Sequence, residues 1–269
     1  MENESNYINI NKEAWNKKTE FHIDSAFYNM TGFLNGETSL NSIELELLGN
    51  ITGKKILHLQ CHFGQDTLSL GRMGAQITGV DLSDVAINKA RELAVTTGIP
   101  ANFICCDVYN LPNHLNEKFD IVFTSYGTIG WLPNLDKWAK VINHFLKPGG
   151  SFVFAEFHPF VWMFDSGFQK IDYSYFNVET IIETETGTYA DKAAPMEAKT
   201  ISWNHDLSEV FTSLISNNLE IKTFKEYDYS PYNCFSNMEE FESKHFRIPH
   251  LQNKIPFVYA LKAVKKLDE

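Results

Sequence analysis

The chain has 269 residues, enough for one large domain or two small ones and enough to bury a substantial core. Hydrophobic residues make up 43% and charged residues 21%, which is ordinary globular usage. With Lys+Arg at 23 against Asp+Glu at 34, the net charge of −11 argues against sequence-independent nucleic-acid binding and against adhesion to anionic membranes, because both need a basic excess. Cys61, Cys105, Cys106 and Cys234 are too few for a disulfide scaffold, and none forms a C-x-x-C pair, so no metal is expected. The opening MENESNYINI has neither a basic nor an apolar region, so no signal peptide is expected. No run of about 18 apolar residues offers a membrane span. These features predict a cytoplasmic protein with reduced thiols. Aromatic residues reach 14%, which fits either a pocket with aromatic walls or a core that uses Phe where others use Leu.

Residues 1–50 are polar and mixed and read as an N-terminal helical cover. Within them SLNSIELELLGN (39–50) puts Leu40, Ile43, Leu47 and Leu48 at helical spacing, with Thr38 or Ser39 as N-cap and Gly49 as the stop. From residue 51 onward the chain reads as the main domain, in which short apolar runs alternate with amphipathic ones. Strands are predicted at 55–60, 76–81, 101–106, 119–126 and 151–157, and helices at 66–73, 84–97 and 134–146. Gly98-Ile99-Pro100 ends the second of these helices and Pro148-Gly149-Gly150 the third. Such alternation builds βαβ units and a parallel sheet covered on both faces. After Phe157 the alternation breaks. An aromatic, Thr-rich insertion at about 159–204 contains IIETETGTY (181–189), read as a hairpin turning at Gly187. A helix at 206–218 follows, then strands at 219–227 and 255–266, of which at least one runs antiparallel because no crossover helix separates them.

An open parallel sheet binds ligands at the carboxyl ends of its strands, where the strand order reverses. The first such turn is Gln60-Cys61-His62-Phe63-Gly64-Gln65. A dinucleotide fingerprint needs three glycines there and only Gly64 is present, which weakens a nicotinamide or flavin reading. A nucleoside without a pyrophosphate suits the turn better. It still calls for an acid at the end of the second strand to hold two ribose hydroxyls, and Asp81 supplies one. The other reading of Asp81, as helix N-cap, is better met by Ser83.

On these residues the chain resembles the class I S-adenosylmethionine-dependent methyltransferases. The resemblance runs from Lys54 to about Lys266. It is carried by ILHLQCHFGQDTLSLGRMGAQITGVDLS (56–83), CCDVYNLP (105–112), the segment from Phe119 to Phe157 and the C-terminal strand pair. Where the family mostly has Asp, Gly and Gly in its first motif, this chain has His58, Gln60 and His62, which matches a bacterial subgroup with a Leu-Gln-Cys-His-Phe-Gly turn. The resemblance implies an α/β fold with a doubly wound, mostly parallel, seven-stranded Rossmann-like sheet, an antiparallel C-terminal strand and an inserted lid. It implies S-adenosylmethionine as cofactor. Gln60, Cys61 and Gly64 would lie along its methionine part, Asp81 would hold the ribose diol and Leu82 would cover the adenine. Asp107 would accept from the exocyclic amine, the Val108 N–H would reach a ring nitrogen, and Thr124 and Ser125 would close the fourth strand beside the sulfonium. His58 reads equally as a core histidine, and Cys61 as a small packed residue.

Methyl transfer from a sulfonium needs approach, alignment and desolvation, and a general base only if the acceptor must lose a proton. His158 is the first candidate base, for its near-neutral titration, with Tyr126 and Glu156 beside it at strand ends and His205 opening a later helix. His158 reads equally as a residue that orients the turn before Pro159. The aromatic insertion is a pocket wall, a dimer surface or a small satellite core. The partner expected is a small-molecule acceptor rather than nucleic acid or membrane, and the protein a monomer or homodimer. A non-catalytic protein that binds the same cofactor is the alternative, and a nicotinamide-dependent oxidoreductase a weaker one.

Overall fold

A strand buried on both faces loses the polar alternation of a surface strand, and KILHL does so, with all but its first residue buried. The computed structural model describes residues 6–267. Ahead of that strand come α1 (Tyr7–His22), α2 (Met30–Leu34) and α3 (Ser42–Leu48). The alternating region then runs β1 (Lys55–Leu59), α4 (Gln65–Arg72), β2 (Gln76–Asp81), α5 (Asp84–Thr97), β3 (Ala101–Cys105), β4 (Phe119–Ser125), α6 (Leu135–Phe145) and β5 (Leu146–Phe157). The remainder is β6 (Ile181–Thr186), β7 (Glu197–Ser202), α7 (Leu207–Ser216), β8 (Leu219–Tyr227), β9 (Glu239–Glu242), β10 (His245–Arg247) and β11 (Val258–Lys265).

Seven strands form one sheet in the order β3-β2-β1-β4-β5-β11-β8. Pairing is parallel from β3 to β5, while β11 is antiparallel to both β5 and β8. This is the doubly wound sheet expected, and its strand order reverses between β1 and β4. Two cores flank it. One gathers α6 and α7 over Trp138, Phe152, Phe154 and Tyr259, and the other gathers α4 and α5 over Phe63, Leu68, Ile87 and Phe123. The local signals that build these helices are plain. In α6, Leu135, Trp138, Ala139, Ile142 and Phe145 repeat at helical spacing and are buried, and Asn134 caps the start by accepting from Lys137 N. Ser83 caps α5 by accepting from Ala86 N, and Gly98 ends it in the left-handed conformation.

The chain departs from the sequence reading in five places, the first being that α6 ends at Phe145 and β5 already begins at Leu146, so Pro148-Gly149-Gly150 stands inside the strand. Asn41, not Thr38 or Ser39, is the N-cap of α3, because Glu44 returns its carboxylate to the Asn41 N–H in a capping box. The hairpin in the insertion is real, but its second strand, β7, begins at Glu197, so residues 187–196 form a long loop rather than a turn at Gly187. A second small hairpin, β9–β10, stands between β8 and β11, where no element was expected. The long helix α1 stands in the stretch read as a helical cover, where no individual helix was expected before residue 39; it lies against β7 and α5. Among the described residues no helix is long and apolar enough to cross a membrane.

Candidate functional site

The carboxyl ends of β1, β2 and β4 and the segment after β3 open onto a single cavity of about 910 Å³. Its floor is the turn after β1, where Gln60 (φ 55°) and His62 (φ 51°) both hold the left-handed backbone that only glycine adopts freely. That conformation costs roughly 1–2 kcal/mol at each non-glycine position. Surrounding bonds hold it. The Gln60 amide donates to the Thr128 carbonyl at 2.8 Å, Cys61 N donates to the Val80 carbonyl at 2.9 Å, and His62 N donates to Asp81 Oδ2 at 2.8 Å. Gly64 also has positive φ, and a Cβ there would lie 2.9 Å from both Ala90 Cβ and the Phe103 ring. With the amide nitrogen of Gln60 committed to Thr128, its carbonyl oxygen is buried with no partner.

Asp81 ends β2 at the cavity wall. Ser83 N donates to its Oδ1 at 2.8 Å and His62 N to its Oδ2, so two backbone N–H groups aim the carboxylate and leave lone pairs unused. Burial raises its carboxyl to about 6 against the pull of those donors. Leu82, Cys61, Gly64 and Val108 line the same cavity, as does Asp107, which caps the short helical turn Val108–Asn113 by accepting from Tyr109 N. Burial raises the carboxyl of Asp107 and, more strongly, the thiol of Cys61. A protonated, buried Cys61 is no nucleophile.

Beyond β4, Tyr126 adopts φ 42° and its hydroxyl donates to Glu44 Oε2 at 2.8 Å. Glu44 is fully buried, and burial, reinforced by Asp66, raises it to about 7 despite the bond from Asn41. Asp66, in the first turn of α4, lines the cavity and accepts from the hydroxyls of Ser39 and Ser125, the latter at 3.3 Å.

Helix α1 closes the cavity from above with Asn11, Trp15 and Lys18, and its His22 is buried. Lys18 pairs with Glu185 of β6 at 2.7 Å and lies 5.1 and 5.2 Å from the ring centroids of Trp15 and Trp131. His22 Nδ1 lies 3.4 Å from His62 Nε2, and burial keeps both imidazoles neutral, with His22 lowered to about 3. Asn11 locks the helix to β7 by donating to the Ile201 carbonyl at 2.8 Å and accepting from its N–H at 2.9 Å. Part of the aromatic insertion forms a satellite core with residues 229–257, in which Val161, Phe168, Met238, Ile248 and Phe257 are buried. Trp162, Phe164, Phe168 and Tyr189 also face the cavity, whereas Phe176 is exposed.

Three of the expected site residues stand elsewhere than anticipated. His158 does not line the cavity. Its Nε2 meets Glu226 at 2.9 Å and its Nδ1 accepts from Phe160 N at 3.1 Å, so it orients the turn before Pro159. Glu156 reaches the wall with its lone pairs taken. It accepts from the N–H groups of Gly127, Thr128, Ile129 and Phe157 and from the Thr128 hydroxyl, and thereby shapes the turn that carries Tyr126. Thr124 is wholly buried below the floor, donating to the Leu59 carbonyl at 3.0 Å. His58 packs against Phe123 with Nδ1 2.8 Å from the Thr67 hydroxyl, and His205 is held between Glu209 and the Leu132 carbonyl. Sequence reasoning missed Glu44, Asp66, Lys18 and His22. The spacing of Trp15, Lys18 and His22 (i, i+3, i+7) on one helical face was the available signal.

Comparison with known proteins gives the following. A methyltransferase domain family matches residues 56–150. An uncharacterised methyltransferase of Synechocystis is 32% identical over 164 residues, covering 59% of this chain and 74% of that protein. The ubiquinone biosynthesis O-methyltransferase of Idiomarina loihiensis is 30% identical over 120 residues, 43% of this chain and 49% of that protein. The chain thus spans about half the length of the ubiquinone-biosynthesis relatives it matches. Among solved structures, an S-adenosylmethionine-dependent methyltransferase from Clostridium acetobutylicum superposes with TM-score 0.58 at 18% identity over 96% of this chain and 99% of that one. A glycopeptide N-methyltransferase complexed with sinefungin gives 0.55 at 13% identity over 87% and 89%. At such identities the likeness is one of fold.

Proposed function

The chain belongs to the S-adenosylmethionine-dependent methyltransferase family, with S-adenosylmethionine as its cofactor, and from that premise we propose that it methylates a hydroxyl of a small, flat molecule held in the covered cavity. The residues fit the cofactor: Asp81 keeps spare lone pairs and Gln60 keeps an unpartnered buried oxygen. Asp81 would take the ribose diol, Asp107 and Val108 the edge of the adenine, Leu82 its face, and Gln60, Cys61, Gly64 and Ser125 the methionine part. The bound cofactor supplies a methyl group already activated by a sulfonium, displaced in line.

The rest falls to the chain's own side chains. The segment from α1 to α3 serves as the cover and the insertion at about 159–204 as the lid, which exclude water and hold the acceptor. Enclosure by α1 and β6 supports a small acceptor over a nucleic acid or protein. The Tyr126 hydroxyl in the cavity wall, bonded to the carboxylate of Glu44, is the observation that carries the oxygen-acceptor reading. As the acceptor oxygen loses its proton to Tyr126 Oη, the phenolic proton moves to Glu44 Oε2, and no phenolate has to form in a site that raises the tyrosine well above its usual range. The relatives named as O-methyltransferases agree with this chemistry.

Tyr126→Phe removes the relay and keeps the ring. It is expected to lower turnover on a phenolic or catecholic acceptor by about 10²–10⁴-fold, with S-adenosylhomocysteine affinity by calorimetry within about threefold of the parent. Turnover equal to that of the parent would leave the reaction without this base.

A further inference from the structure

Asp66 stands in the cavity without a cation. It accepts from two neutral hydroxyls, Ser39 and Ser125, and the titratable groups around it are themselves acidic: Glu44 and the phenols of Tyr28, Tyr189 and Tyr232. Among the described residues no lysine, arginine or histidine pairs with it. Of the two lysines that line the cavity, Lys18 is committed to Glu185, and Lys244 stands exposed in the turn between β9 and β10, with no bond to Asp66. A buried carboxylate facing a cavity with only neutral and acidic neighbours is costly unless a ligand brings the charge. The second observation is independent. The Gln60 side-chain carbonyl oxygen, in the turn one residue past β1's end, is a buried acceptor with no donor, and its orientation is fixed by the bond from its own amide to Thr128. Asp66 and Gln60 therefore flank the same turn, and both ask for a donor.

We infer that Asp66, with Gln60 across the turn, forms a subsite for the α-ammonium group of the cofactor's methionine part. The inference rests on the reading of the cavity as an S-adenosylmethionine site. An ammonium offers three donors and one positive charge, which matches one carboxylate and one amide oxygen. The two serine hydroxyls orient Asp66 as backbone N–H groups orient Asp81, so the two ends of the cofactor meet two pre-aimed acids.

The test uses S-adenosylhomocysteine, whose sulfur is neutral, and its deamino analogue, titrated calorimetrically into the full chain. The parent is expected to prefer S-adenosylhomocysteine by about 10- to 100-fold, the range for a charged hydrogen bond. In Asp66→Asn that preference should shrink to about threefold or less, through loss on S-adenosylhomocysteine alone. Equal affinities in the parent, or a preference retained in Asp66→Asn, would overturn the subsite. So would a loss in the variant confined to S-adenosylmethionine, which would place the carboxylate at the sulfonium instead. If Asp66→Asn fails to fold by circular dichroism, Ser125→Ala replaces it, with a smaller loss of preference expected and an unchanged preference contradicting the assignment. No binding of either ligand by the parent would instead remove the cofactor reading on which the subsite depends.

Discussion

Asp81 is held as an acceptor yet lifted to about 6 by burial, so its ligand affinity is tied to pH. Only the ionised carboxylate accepts from both hydroxyls of a diol. Cofactor affinity should therefore be full above about pH 7 and fall as pH drops through 6, by up to tenfold per pH unit below it. Titrations at pH 8, 6.5 and 5 check this, and Asp81→Asn should bind more weakly throughout with that slope removed. Glu44 runs the other way for stability. Its folded value, about 7, exceeds its ordinary 4.5, so the folded state holds the proton more tightly and stability is lost as pH rises from 4.5 through 7. Glu44→Gln should flatten that decline, which amounts to on the order of 3 kcal/mol, in urea unfolding at pH 5 and pH 8. Asp81 was legible in the sequence because it ends an apolar run ahead of a serine cap. Glu44 and Asp66 were not, because each sits in an amphipathic helix where an acid ordinarily faces solvent, and only the packing of α3 against β5 and β11 and of α4 against β2 and α5 turns them inward. His158 misled for the opposite reason: its position at a strand end is catalytic in appearance, but β8, on the far side of β11, supplies Glu226 to occupy its ring.

Helix α1 owes its place to polar side chains rather than to an apolar stripe. Asn11, Lys18, Thr19 and His22 are its buried residues together with Ala14, and that is why hydrophobic periodicity did not reveal it. The strands and helices of the alternating region, by contrast, follow the apolar pattern closely, and β2, α5 and β8 begin and end where the sequence places them. Asn11 satisfies both polar groups of Ile201, so Asn11→Ala leaves a buried N–H and C=O without partners. The docking of α1 should weaken by about 2–4 kcal/mol. Amide exchange should then accelerate in Tyr7–His22 and Glu197–Ser202 while β1, β4 and β5 keep their protection. Exchange that rises across the whole sheet would mean that α1 is part of the main cooperative unit rather than a separable cover. The β9–β10 hairpin was illegible because its strands are short, four and three residues, and none of β9 is buried, so no pattern of alternation exists to read.

At the scale of the molecule, strand order and site are two consequences of one arrangement. The sheet reverses at β1–β4, the turns after β1, β2 and β4 converge there, and α1 and β6 roof the opening. In the proposed function that roof selects a small acceptor over a large one, and the net charge of −11 adds to the case against a polyanion. The most direct measurement supplies the full chain with S-adenosylmethionine carrying a labelled methyl group. It is mixed with a cell extract and, separately, with a panel of phenols and catechols, and the products are divided by size. The account predicts label in molecules below about 1 kDa, base-stable as an ether is, and lost with Tyr126→Phe. Label confined to protein or nucleic acid would contradict it.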